Sequence, residues 1–182
     1  AVEWFVAHGR RRVGLLWGGD PSKHYWYPAR REGYERAMLA AGLSPRPTLS
    51  VPEWQPEDVT AELFDHRVRQ LIGFLMETAR ESDRPDALLC YTDYIVPYVA
   101  VALERWGVTP NRDIWLGGYD NYALELNERQ FTHWLPLITV DKRNWDMGVT
   151  MAELLFDRID GQLPAAPQTR VVPPKLVEIG ST

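Results

Sequence analysis

Four short predicted strands of this sequence each stop at residues that could hold a polar ligand. After Val13 to Trp17 come Gly18-Gly19-Asp20, then His24, Tyr25, Trp26 and Arg30; after Thr48 to Val51 comes Trp54; after Ala87 to Tyr91, Thr92-Asp93; and after Ile114 to Tyr119, Asp120-Asn121. A carboxylate accepts two hydroxyl hydrogen bonds, a guanidinium donates to hydroxyls or carboxylates, and a flat aromatic face covers one side of a pyranose or a base. A carboxylate, an Arg, an amide and several aromatics could thus meet in one crevice.

Each residue also has a purely structural reading. Arg30 stands four residues before Tyr34 and seven before Ala37, on the apolar face of a helix's first turn. It could contact a ligand, snorkel to water or pair with a nearby Asp. Asp120 could be a loop turn residue, and Thr92 or Asp93 could cap the helix that follows. Of the eight Trp, Trp54 is best placed for ligand contact and Trp26 next, while Trp106 and Trp145 lie on helix faces expected to point to core. Tyr119, at a strand end, could be either.

Catalytic constellations are poor. His8, His24, His66 and His133 show no metal-ligand spacing, and there is neither a nucleophile elbow nor a Walker loop. Gly18-Gly19-Asp20 has too few glycines for a dinucleotide fingerprint, although a short strand-to-helix loop could accept an anion. No cofactor or metal is expected. An α/β enzyme using Asp93 or Asp120 as a base would lack a partner residue.

The elements that position these residues alternate. A helical opening precedes the strand at 13–17; a helix from Pro28 carries Tyr34, Ala37, Met38 and Ala41 on one face, with Gly42 just past its end. Val59, Leu63, Val68, Leu71, Ile72, Leu75 and Ala79 trace a long amphipathic helix with Glu57 and Asp58 in its first turn. Another helix carries Ile95, Val99, Ala102, Leu103 and Trp106, and a last pair is a strand at 137–140 and a helix face from Trp145 to Ile159. The tail from Arg170 to Ile179 is extended around Pro173-Pro174. Parallel neighbours need long crossovers, so this alternation predicts an α/β class with a parallel, doubly wound sheet flanked by helices.

The 182 residues suffice for one ordinary domain or a compact piece of a larger one. A 45% hydrophobic and 25% charged composition excludes long disorder, and a net charge of −5 provides no basic field for a phosphate backbone. No apolar stretch is long enough to span a membrane, and charge follows rather than precedes the apolar start, so neither anchor nor signal peptide is expected. Cys90 is single and lies in an apolar run.

Several segments, in order and across the whole chain, resemble the effector-binding part of LacI/GalR-type transcription regulators: AVEWFVAHGRRRVGLLWGGD, ARREGYERAMLAAGL, RPDALLCYTDYIVPYVAVALERWGV, DIWLGGYDN, PLITVDKRNWDMGVTMAELLFDRIDG and VVPPKLVEIGST. The resemblance implies a periplasmic-binding-protein-like fold, two α/β subdomains around a ligand cleft. Residues 13–140 and 174–182 would form the C-terminal subdomain, and 1–12 and 141–173 would be remnants of an N-terminal one. The family's helix-turn-helix domain, through which operator DNA would be bound, is expected to be absent from this chain, as if truncated. The helices at 1–9 and 145–159 should then expose apolar faces.

Residue by residue, Arg30 matches a family Arg that binds ligand hydroxyls or carboxylate, Asp120 a pocket Asp, and Trp54 a stacking aromatic. His24 and Trp26 fall where the family places small polar pocket residues. Thr92, beside Asp93, replaces a common Asn, and Lys142 stands where Gln is frequent, which could favour a carboxylate or phosphate on the ligand. The implied protein is a cytoplasmic, homodimeric, non-enzymatic regulator that senses a small molecule, a sugar or sugar derivative, without membrane contact. The rival reading is a periplasmic-type sugar-binding protein of a transporter.

Overall fold

The computed structural model describes residues 1–54, 58–78 and 84–179. In chain order the elements are α1 (Val2–Ala7), β1 (Val13–Gly18), α2 (Tyr27–Ala40), β2 (Leu49–Val51), α3 (Ala61–Thr78), β3 (Ala87–Cys90), α4 (Val96–Arg105), β4 (Trp115–Gly117), β5 (Ile138–Asp141), α5 (Asn144–Ile159) and β6 (Lys175–Glu178). The strands form one sheet in the order β2-β1-β3-β4-β5-β6. The first five strands run parallel, and β6 returns antiparallel to β5. This is the α/β sheet that the alternation predicts.

Every residue of β1, VGLLWG, is buried, as a strand covered on both faces requires. Alternate side chains supply two cores. Val13 and Leu15 of β1 with Ala87 of β3 pack under α1 and α2. Leu16, with Leu88 and Cys90, packs under α3 and α4. Registers of Val13 opposite Ala87 and Leu16 opposite Cys90 align β1 and β3 at the sheet centre, so their carboxyl ends open at the same level. Cys90 is fully buried, and that burial pushes its thiol well above the ordinary range.

One helix boundary differs from expectation. α3 starts at Ala61, where the Thr60 hydroxyl accepts a hydrogen bond from the Leu63 amide at 3.2 Å; Val59 and Asp58 precede it. Glu57 and Ala79 lie outside the described residues. α2 keeps Pro28 in its first turn, and Gly42 follows its end with φ of 68°. The buried Tyr34 hydroxyl ties this helix down by donating to the Val13 carbonyl at 2.8 Å.

The opening helix corrects an expectation. An open apolar face was anticipated, yet Val2 and Phe5 are buried. A Cβ at Gly117 would lie 2.9 Å from the Phe5 ring, so the strand glycine makes the room that lets α1 seat on the sheet. The other helix behaves as anticipated. No side chain of α5 is buried, and Met151, Leu155, Phe156 and Ile159 stand in the open. Trp145, expected to point into a core, is 83% exposed. Among the described residues no helix is long and apolar enough to cross a membrane.

Candidate functional site

A cavity of about 600 Å³ opens beyond the carboxyl ends of the parallel strands, where open α/β sheets bind their ligands. Arg30, Trp54, Thr92, Asp120, Trp26 and Lys142 all line it, together with Glu53 and the tyrosines Tyr25, Tyr91, Tyr94, Tyr119 and Tyr122.

Gly18 and Gly19 at the end of β1 shape the wall by what they leave out. A Cβ on Gly18 would sit 2.5 Å from the Tyr91 ring, and one on Gly19, whose φ is 70°, would sit 2.6 Å from the Glu53 carboxylate. The pair therefore admits Tyr91 and Glu53 instead of cradling an anion. The following turn has its own anion: Asp20 accepts from the Ser22 amide at 2.9 Å and the Ser22 hydroxyl at 2.8 Å, and these bonds hold its carboxyl below the ordinary range.

Arg30 enters from the first turn of α2. Its Nη1 donates to the Tyr91 carbonyl at 2.9 Å and its guanidinium lies 3.7 Å from the Tyr119 ring centre. Burial lowers its pKa while Tyr119 and Asp120 oppose that shift, and a guanidinium stays charged regardless. The side chain is thus held flat against an aromatic wall, with donors left to face the cavity.

Asp120 follows β4 with φ of 100°, and its amide donates to the Val140 carbonyl of β5 at 2.9 Å. The Thr92 hydroxyl donates to Asp120 Oδ2 at 3.1 Å, and Lys142 Nζ lies 2.6 Å from Oδ1. Thr92 Oγ1 and the Tyr122 hydroxyl are 2.6 Å apart, so the Tyr122 proton completes a chain from Tyr122 through Thr92 to Asp120. Burial raises the Tyr122 pKa, which keeps that donor protonated.

Asp93 does something else. It is fully buried and absent from the cavity wall; Oδ2 accepts from the amides of Tyr122 at 2.8 Å and Ala123 at 3.2 Å, and Oδ1 from the Thr139 hydroxyl at 2.8 Å. Its side chain does not cap the helix that follows it; it fastens the loop after β4 to β3 and β5. His24 is also absent from the lining, its ring 4.9 Å from that of Trp26 and its Nε2 3.4 Å from Glu53. Trp54 lies at the far end with Tyr98 5.3 Å and the Arg67 guanidinium 5.2 Å from its ring. Glu53, Tyr91, Tyr94 and Tyr122 were not singled out by sequence, although each adjoins a residue that was or lies two positions from one. Among the described residues no group of three or more His, Cys, Asp or Glu could hold a metal ion.

The arrangement supplies aromatic faces at one end and charged and hydroxyl groups at the other, a composition suited to holding a polyhydroxylated ring. Comparison with known proteins agrees with this architecture. The sequence matches the periplasmic binding protein-like domain over residues 2–182. The HTH-type transcriptional repressor PurR of Escherichia coli O1:K1 / APEC is 27% identical over 179 residues, which are 98% of this chain and 47% of the repressor. PurR of Photobacterium profundum is 26% identical over 159 residues, 87% of this chain and 42% of the repressor. The chain therefore spans about half the length of the curated relatives it matches. In structure it resembles a dimeric Lac repressor with an 11-residue C-terminal deletion, with a TM-score of 0.71 at 21% identity over 97% of this chain and 57% of that one. A complex of the transcriptional regulator CelR with cellobiose gives a TM-score of 0.69 at 25% identity over 97% of this chain and 48% of that one. These relatives are transcriptional regulators rather than enzymes. By its sheet and by the match along nearly all of its length, the chain belongs to the periplasmic binding protein-like domain family.

Proposed function

We propose that this domain is the ligand-sensing part of a LacI/GalR-like transcription regulator and that it binds a sugar or sugar derivative in the cavity beyond the strand ends. The observation that carries the reading is the convergence of Arg30, Asp120, Thr92 and Trp54, from four separate elements, on one cavity. The cellobiose complex of CelR supports a sugar as the ligand class. Residues 13–140 and 174–182 act as one lobe and 141–173 belong to the other; the uncovered face of α5 supports that division, while 1–12 lead into the first lobe with α1 lying against its sheet. Ligand binding favours one arrangement of the lobes and so sets the spacing of helix-turn-helix heads, outside these residues, in a cytoplasmic homodimer on operator DNA.

Calorimetric titration of the full-length protein with pentoses, hexoses, sugar acids, sugar phosphates and purines tests this. One class should saturate, and Asp120→Asn and Arg30→Ala should each weaken it by about thirtyfold, the worth of a charge-assisted hydrogen bond. Asn is chosen at 120 because it tolerates the positive φ there. A ligand indifferent to both changes would sink the site.

A further inference from the structure

The cavity is polarised along the sheet. Its wall draws on β2 at one extreme, through Glu53 and Trp54, and on β5 at the other, through Lys142. In the order β2-β1-β3-β4-β5 these extremes stand four strand spacings apart, about 19 Å. That is longer than a single sugar ring.

The charges differ from end to end. At the β2 end Glu53 faces His24, with Trp26 and Trp54 beside them. At the β4–β5 end two cations meet one cavity carboxylate: Lys142 Nζ lies 2.6 Å from Asp120 Oδ1, and Arg30, though rooted in α2, is drawn across to stack on Tyr119 and interacts with Asp120. Asp120 is already engaged on both oxygens, by Lys142 and by the Thr92 hydroxyl. Two other acids lie nearby and neither lines the cavity: Asp93 is buried behind Gly118 with three donors on its oxygens, and Asp141 accepts from the Asn121 side-chain amide at 3.1 Å and from the Arg143 backbone at 2.6 Å. Among the groups that line the cavity, this end therefore offers donors in excess of acceptors and one positive charge more than negative. A neutral sugar would leave that charge without a partner, whereas an anionic oxygen group would complete it.

Building on the proposed effector site, we infer that the ligand is an elongated, anionic carbohydrate, two rings long, with one ring on the tryptophans at the β2 end and a carboxylate or phosphate ester between Arg30 and Lys142. Lys142 is the residue that selects for the charge. Its ammonium has three donors and meets Asp120 Oδ1 as an ion pair without completing a hydrogen bond, so it can add the anion as a further partner without surrendering the first.

The test titrates the full-length protein with matched pairs: cellobiose against cellobiose 6-phosphate and against cellobionate, and trehalose against trehalose 6-phosphate. The anionic member of at least one pair should bind about tenfold or more tighter at low salt, and the gap should shrink in roughly 0.5 M NaCl, where the screening length falls to about 4 Å. Lys142→Gln should close the gap, costing the anionic member about tenfold more affinity than it costs the neutral one. Trp54→Ala should weaken both members alike and keep the gap, since it acts at the opposite end. Neutral and anionic members binding equally, or a gap that survives Lys142→Gln, overturns the charge assignment and leaves the effector site standing. Saturable binding of single-ring sugars alone overturns the length assignment in the same way. Binding by no member of any pair and by no single sugar overturns the effector site and this inference together.

Discussion

Asp93 and Asp120 end neighbouring strands of one sheet and are the same kind of residue, yet their surroundings give them opposite work. Asp93 is sealed in, with two backbone amides and a hydroxyl on its oxygens. Asp120 opens to the cavity, paired with a half-exposed lysine and a threonine that a tyrosine also reaches. A carboxylate whose partners are backbone amides holds a fold; one whose partners are mobile side chains can exchange them for a ligand. The difference lies in the donors rather than in the acid.

The largest effect expected from breaking this contrast is at the sealed site. Asp93→Ala strands two amides and a hydroxyl in the interior, and should cost about 3 kcal/mol or more of unfolding free energy in denaturant titration. Gly118→Ala attacks the same contact from the other side, because its Cβ would overlap Asp93 Oδ1; about 2 kcal/mol is expected, and a neutral result would show that the loop after β4 shifts freely. Asp120→Asn should invert the pattern, changing stability by less than about 1 kcal/mol while ligand affinity falls. If it unfolds the protein as readily as Asp93→Ala, the contrast collapses.

Smaller effects sharpen it. Thr92→Val removes the hydroxyl between Asp120 and Tyr122 at nearly constant volume, and about 1 kcal/mol of ligand binding should go with it. The subtlest is a pH dependence. Burial raises the Asp93 pKa above its ordinary 3.8, so the folded chain holds that proton longer than the unfolded one. Its stabilising share is complete below 3.8 and is lost as pH rises through the folded value. The unfolding free energy of the wild type relative to Asp93→Asn should therefore decline as pH rises from below 3.8, and parallel pH profiles would remove the Asp93 charge from the balance.

What the sequence made legible follows from which interactions are local. The apolar runs and helix faces predicted the strands and helices, because periodicity reflects burial along one element. Arg30, Trp54, Thr92 and Asp120 could be picked out because residues just past strand ends share one side of a parallel sheet. Strand order was not legible, and with it went the sealing of Asp93, which needs Thr139 of β5 and the Tyr122 amide as neighbours. The part played by Gly18-Gly19 was hidden for the same reason: the pair matters for the Tyr91 and Glu53 side chains it admits, which come from β3 and the loop after β2. The burial of α1 likewise depended on Gly117, a gap on a strand far along the chain. His24 was read as a wall residue from its position, but Trp26 lines the cavity and His24, its ring 4.9 Å away, does not.

One feature at the sheet's margin bears on handling the protein. β6 pairs with β5 along four residues, from Ile138 with Glu178 to Asp141 with Lys175, and turns outward a strand that begins after Pro173-Pro174 and carries a charge at each end. Proline and charge discourage a further strand from adding, so β6 works as a guard on an edge that would otherwise be sticky. A chain shortened to end before Lys175 would bare the backbone of β5, including Ile138 and Val140, as a template for other copies. Its first symptom should be aggregation rather than loss of ligand binding.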